Sequence, residues 1–157
     1  MFWASTNLVR PVSMLSLACI MRFFIFILTI IYSSSATTAE LHVTVQGLRS
    51  NLGQLRISLF DQADEFPRGK EIKDQNLKSI VGDIVATFQN LPPGSYALAI
   101  HHDENLNEEM DTNFIGLPLE GYGFSNNARV VFSPPTFEAA AFDIGANDTR
   151  ISLHVVY

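Results

Sequence analysis

Asp103, Asn105, Asn107 and Asp111 place oxygen-bearing side chains at relative positions 1, 3, 5 and 9 of one short stretch, and the backbone carbonyl of Glu109 falls at position 7. Calcium loops use this spacing, because the ion takes six to eight hard oxygen ligands from a chain that wraps around it. Oxygen-only donors favour calcium over zinc or copper. Two positions depart from an EF-hand loop. Glu108 stands at position 6, where that loop uses Gly for its sharp turn, and Phe114 stands at position 12, in place of a bidentate Glu. A strand pattern precedes the loop, and Gly116 and Pro118 follow it, so the flanking helices of an EF-hand are not expected. Glu120 can complete the shell if the chain folds back. The competing reading is a solvated acidic loop in which Asn and Asp side chains turn onto their own backbone.

The charge pattern bears on both readings. No Lys or Arg occurs between Lys78 and Arg129, yet Asp83, Asp103, Glu104, Glu108, Glu109, Asp111 and Glu120 do. Six of these acids fall within residues 103–120, and they repel one another unless solvated or neutralised by a cation. Phe114, Tyr122 and Phe124 follow in a Gly-rich continuation of the loop. They either form a surface for a glycan or peptide ligand or fold under the loop as its local core. His101 and His102 adjoin Asp103, but neighbours on a strand point to opposite faces, so their rings do not converge. No G-x-S-x-G, P-loop or Cys nucleophile occurs after residue 39. A hydrolase using two of the loop carboxylates is the remaining enzymatic alternative. A non-enzymatic domain is the expectation.

The elements that position this loop begin with an export signal. Arg22, the apolar run Phe23 to Tyr32 and the small-residue zone Ser33 to Ala39 have the order of a signal peptide. Cleavage is expected after Ala36 or Ala39, and residues 1–20 read as an upstream extension. Residues 1–39 are therefore assigned to the signal and 40–157 to one domain, secreted or periplasmic and expected to be a monomer. The domain loses Arg10 and Arg22 with the signal and keeps eight basic against sixteen acidic residues, a balance of −8. Such a domain is not expected to bind nucleic acid or, after cleavage, a membrane. It has no Cys, hence no disulfide.

Period-two alternation runs through the domain. Leu41, Val43 and Val45 form one inward face and Leu55, Ile57 and Leu59 the next, read together as a hairpin turned at Ser50 to Gly53. Residues 62–78 read as a polar excursion. Strands are expected over 79–90 and 95–102, joined by Leu91-Pro92-Pro93-Gly94 as a type II turn with Gly94 at positive φ. Three more are expected over 129–133, 137–144 and 150–157, with a helix over the Ala-rich stretch Glu138 to Ala141 as the alternative for the second. The fold class is all-β, a single antiparallel β-sandwich of about seven strands with Greek-key connections.

Phe88 through Asn127 resembles the core signature of an uncharacterised secreted bacterial family, domain of unknown function 2141 (DUF2141). The resemblance rests on Leu91-Pro92-Pro93-Gly94 with Tyr96, on His102-Asp103-Glu104-Asn105, Asn107 and Asp111, and on Gly116, Pro118, Glu120 and Gly123-Phe124-Ser125-Asn126. It implies a small exported β-sandwich and no established activity. Many members carry Asn-Gly where this chain has Asn107-Glu108. More loosely, the Pro-Pro-Gly-x-Tyr turn is similar to those of transthyretin-like sandwiches. The chain ends His154-Val155-Val156-Tyr157, without the terminal motif of the transthyretin-like hydroxyisourate hydrolases.

Overall fold

A computed structural model describes residues 38–131 and 133–157. The expected export signal lies outside the described residues except for its last two positions. Among the described residues no helix is long and apolar enough to cross a membrane.

Among the described residues the chain forms the expected two-layer β-sandwich, from eight strands. These are β1 (Ala39–Gln46), β2 (Gln54–Phe60), β3 (Lys73–Lys78), β4 (Ile84–Leu91), β5 (Gly94–Asp103), β6 (Gly121–Phe124), β7 (Phe142–Ile144) and β8 (Thr149–His154). One sheet has the order β4-β1-β8 and the other β3-β2-β5-β6, with β7 pairing the start of β5. The pairings are antiparallel except β1 with β8, which run parallel. The alternation places Leu41, Val43 and Val45 of the first sheet against Leu55, Ile57, Leu59, Leu98 and Ile100 of the second in one buried core. Burying such a side chain contributes about 1.5–3 kcal/mol.

Four local expectations are corrected. First, β1 and β2 are not a hairpin, because they lie in different sheets. Gly47 (φ 86) and Gly53 (φ 63) turn the connection across the end of the sandwich, and buried Leu48 closes the core beneath it. Second, the polar excursion contains β3. This edge strand has Leu77 as its one large apolar residue, too little alternation to read in sequence. Third, the expected strand at 129–133 does not form among its described residues, and 137–144 divides into a helical turn α1 (Phe137–Ala140), capped by the Thr136 side chain, and β7. Fourth, the positive φ before β5 belongs to Asn90 (φ 57) and not to Gly94. Tyr96 holds this corner by donating its hydroxyl to the Pro92 carbonyl at 2.8 Å.

The outer face of β5 is covered as well. Ala97, Phe124 and Ala140 form a second cluster with Phe66, Phe137 and Tyr122 packed against it. Ser125 ends β6 at this point. Its Oγ accepts the Leu98 amide at 2.9 Å and donates to the Ala140 carbonyl at 2.5 Å.

Candidate functional site

Register decides what shares one end of the sandwich. Gln54 pairs with Asp103 and with Lys78, Val45 with Ile84, Gln46 with His154, and His102 with Gly121. Segments 47–53, 79–83, 104–120 and 155–157 therefore all emerge at that end.

Asp103 is the last residue of β5 and is fully buried. One of its oxygens accepts the amides of Leu106 (2.7 Å) and Asn107 (3.2 Å). The other accepts the Glu108 amide (3.0 Å) and the Gln54 side chain (3.3 Å). The chain thus wraps around one carboxylate, and the wrap requires left-handed backbone at Leu106 and Glu108, both at φ 64. Glu108 adopts this conformation despite its Cβ, at the position where a calcium loop has Gly. Burial pushes the Asp103 carboxyl up, but the hydrogen bonds from Gln54, Glu108 and Leu106 outweigh it and leave the group below its ordinary 3.8.

Asn105 and Asn107 each accept the amide two residues on, at 3.0 and 2.8 Å, as in Asx turns. Their Nδ2 atoms converge on Asp111 instead, Asn105 at 2.7 Å and Asn107 at 3.2 Å, one on each carboxylate oxygen. Glu109 is exposed. Glu120 does fold back onto the loop. It is 4% exposed, accepts the amides of Glu104 (2.9 Å) and Asp111 (3.3 Å), and meets His101 Nε2 at 2.8 Å. Among the described residues no group of three or more His, Cys, Asp or Glu side chains is placed to hold a metal ion.

Of the three ring-bearing candidates, Phe124 is buried and Tyr122 half-buried, tilted against each other with centroids 6.2 Å apart. Phe114 stands apart at 99% exposure. It sits on a small secondary hairpin closed by the Thr112–Pro118 bridge and by Leu119 N donating to the Asp111 carbonyl at 2.8 Å. Asn113 Oδ1 accepts the amides of Ile115 and Leu117, each at 3.0 Å, and orders the tip.

Residues far away in sequence lock the loop down. Arg49 pairs with Glu104, reaches the Leu119 carbonyl at 3.2 Å, and lies over the Tyr157 ring at 4.2 Å. The hydrogen bond from Arg49 is the leading reason the Glu104 carboxyl falls below its ordinary value. Arg56 donates to the Glu108 carbonyl at 2.9 Å. The two histidines do face apart. His102 is buried with Nε2 at 2.9 Å from the Leu52 carbonyl, so this nitrogen carries the proton and Nδ1 accepts the Tyr157 hydroxyl at 2.6 Å. Sequence reasoning missed Arg49, Arg56, Gln54 and Tyr157. Their only signal is that Arg49 is the one basic residue in its connection.

The chain matches the family described as "Uncharacterized protein conserved in bacteria (DUF2141)" over residues 43–152. No curated protein matches. Similar solved structures include two of "Pilus-presented adhesin, Spy0125 (Cpa)", both in the P212121 form. The first is 19% identical over 76% of this chain and 27% of that one, with a TM-score of 0.29. The second is 16% identical over 79% and 27%, with a TM-score of 0.28. The chain thus spans about a quarter of those structures. With the family match running from the middle of β1 into β8 and taking in the whole Asp103–Glu120 loop, the chain belongs to the DUF2141 family.

Proposed function

We propose that this domain is an exported, non-enzymatic module whose Asp103–Asp111 loop takes up calcium, which braces the loop end of the sandwich. One observation carries the reading: Asn105, Asn107 and Asp111 gather their side chains within hydrogen-bond distance at the surface, above a loop already wrapped around buried Asp103. Neither Asp103 nor Asp111 has a Lys or Arg within ion-pair reach among the described residues. An ion here exchanges the two Asn N–H contacts to Asp111 for oxygen contacts and supplies the missing positive charge. The non-enzymatic part is supported by the two buried carboxylates. Asp103 and Glu120 each have both oxygens engaged by hydrogen bonds, so neither offers a free base or nucleophile.

The test is thermal unfolding of residues 37–157 in EDTA and across a calcium titration, with magnesium as control. A site that binds only the folded state adds about 2.7 kcal/mol at a hundredfold excess over Kd. A calcium-specific rise that Asp111→Ala abolishes supports the reading, and an unchanged midpoint at millimolar calcium refutes it. A second reading, a surface for a glycan or peptide, is favoured by the full exposure of Phe114 on its ordered hairpin.

A further inference from the structure

We infer that the loop end of the sandwich is a docking surface for a polypeptide segment that alternates apolar with basic side chains. The inference rests on the second reading above and not on calcium.

The first observation is where the exposed apolar residues lie. Leu52, Val81, Leu106, Phe114, Ile115 and Leu117 are each more than half exposed, and all sit on the segments that emerge at this end. Among the described residues, the exposed large apolar side chains elsewhere are Ile72, Val85 and Val131. The segments are tied to one another. Arg49 bonds to Glu104 and to the Leu119 carbonyl, Asn51 Oδ1 accepts the Val81 amide at 2.5 Å, and Val156 bridges to Tyr122. Gly53 lies so close to Asp103 and Glu104 that a Cβ there has no room. The apolar side chains are thus carried on one connected platform. Exposed apolar side chains gathered at one end of a domain, among acidic groups, are a surface of the kind a partner covers.

The second observation selects the occupant. The four segments carry Asp83, Glu108, Glu109 and Asp111 at their surface, besides Glu104 paired with Arg49 and the buried Glu120; Arg49 is their one basic residue, and Arg56 of β2 reaches Glu108 at 4.0 Å. An apolar surface with this rim repels an anionic bilayer and a second copy of itself. A glycan stacks on aromatic faces, and at this end Phe114 is the one fully exposed ring, since Tyr157 is only partly exposed and has Arg49 over its face. A chain with Lys or Arg beside Leu- or Val-like side chains satisfies both the apolar centre and the acidic rim.

The test is fluorescence anisotropy of a short labelled peptide of alternating Leu and Lys with residues 37–157, in EDTA and again in calcium. Leu/Glu and Ser/Lys peptides, phosphatidylglycerol and phosphatidylcholine vesicles and a chitin oligosaccharide are the comparison arms. The Leu/Lys peptide should bind at least about tenfold more tightly than either comparison peptide. Replacing Phe114, Ile115 and Leu117 together by Ser, with the melting temperature unchanged, should remove that advantage. Glu108→Gln with Glu109→Gln should weaken binding and flatten its salt dependence. Equal binding of the Leu/Lys and Ser/Lys peptides, or unaltered binding by the Ser variant, overturns the inference. So does vesicle binding without peptide binding. Binding of the oligosaccharide alone overturns it while leaving the second reading standing, and no binding in any arm overturns both.

Discussion

Asp103→Ala offers a direct measure of how much of this loop one carboxylate holds together. Asp103 receives four donors, but they are not equivalent. Asn107 N has a second acceptor in Asn105 Oδ1 at 3.0 Å, and the Gln54 side chain can turn to water. The amides of Leu106 and Glu108 point into the buried carboxylate and are left without a partner when it goes. At about 1.5 kcal/mol for each such amide, the substitution should cost about 3 kcal/mol. In a domain of this size that lowers the melting temperature by roughly 9–15 °C. Asp103→Asn keeps one acceptor oxygen and should cost about half as much. The assay is urea unfolding followed by circular dichroism, in EDTA so that no ion contributes, with the denaturant slope checked for constancy. A loss below about 1 kcal/mol for Asp103→Ala would refute the reasoning, because it would mean that the wrap does not depend on its central carboxylate.

Acid should act through the same groups. The Asp103 and Glu104 carboxyls both sit below their ordinary 3.8 and 4.5 in the folded protein. The unfolded chain therefore binds more protons in that range, so their contribution is complete above about pH 5 and is lost as pH falls through the folded values. The urea midpoint should stay flat from about pH 7 to 5 and drop below about pH 4, and it should drop less steeply in Asp103→Asn. Gly53→Ala should destabilise by more than about 2 kcal/mol, since the new Cβ would stand 1.8 Å from the Asp103 carbonyl oxygen at φ 63. Gly145→Ala, with nothing within 4 Å and no positive φ, should change the urea midpoint little. Export should release a chain beginning at Thr37, read by mass spectrometry. Ala39 is buried and pairs with Leu91, so a cut after it would remove the first residue of β1 from the core.

Period two was legible wherever a strand buries one face. Leu41-Val43-Val45, Leu55-Ile57-Leu59 and Leu98-Ile100 announced their strands, because an inward side chain recurs at every second residue whatever its partner. Strands that bury little stayed silent. The polar edge β3 depends on neighbours already in place and carries almost no pattern of its own, whereas β7 lies inside the strand expected over 137–144 and differs from it only in starting later. The Ser50–Gly53 turn signal was real, but a turn dictates only that the chain changes direction. Whether β2 then pairs with β1 or crosses to the other sheet depended on Leu48 closing the core, which is a long-range choice.

The loop divides along the same line. Its acidity, its oxygen spacing and the opposed directions of His101 and His102 follow from residue order and local geometry, so the sequence by itself determined them. The roles of the individual acids came from register. Asp103 became the buried hub because it closes β5 opposite Gln54, and Glu104 became a paired acid because the β1–β2 connection brings Arg49 to the same end. Glu120 folds inward because it sits just before β6, beside His101. Phe124 went into the second core cluster and Phe114 into solvent, although both are Phe residues of one Gly-rich stretch. Burial is a property of what packs on a residue from elsewhere in the chain, so only the tertiary structure decided it.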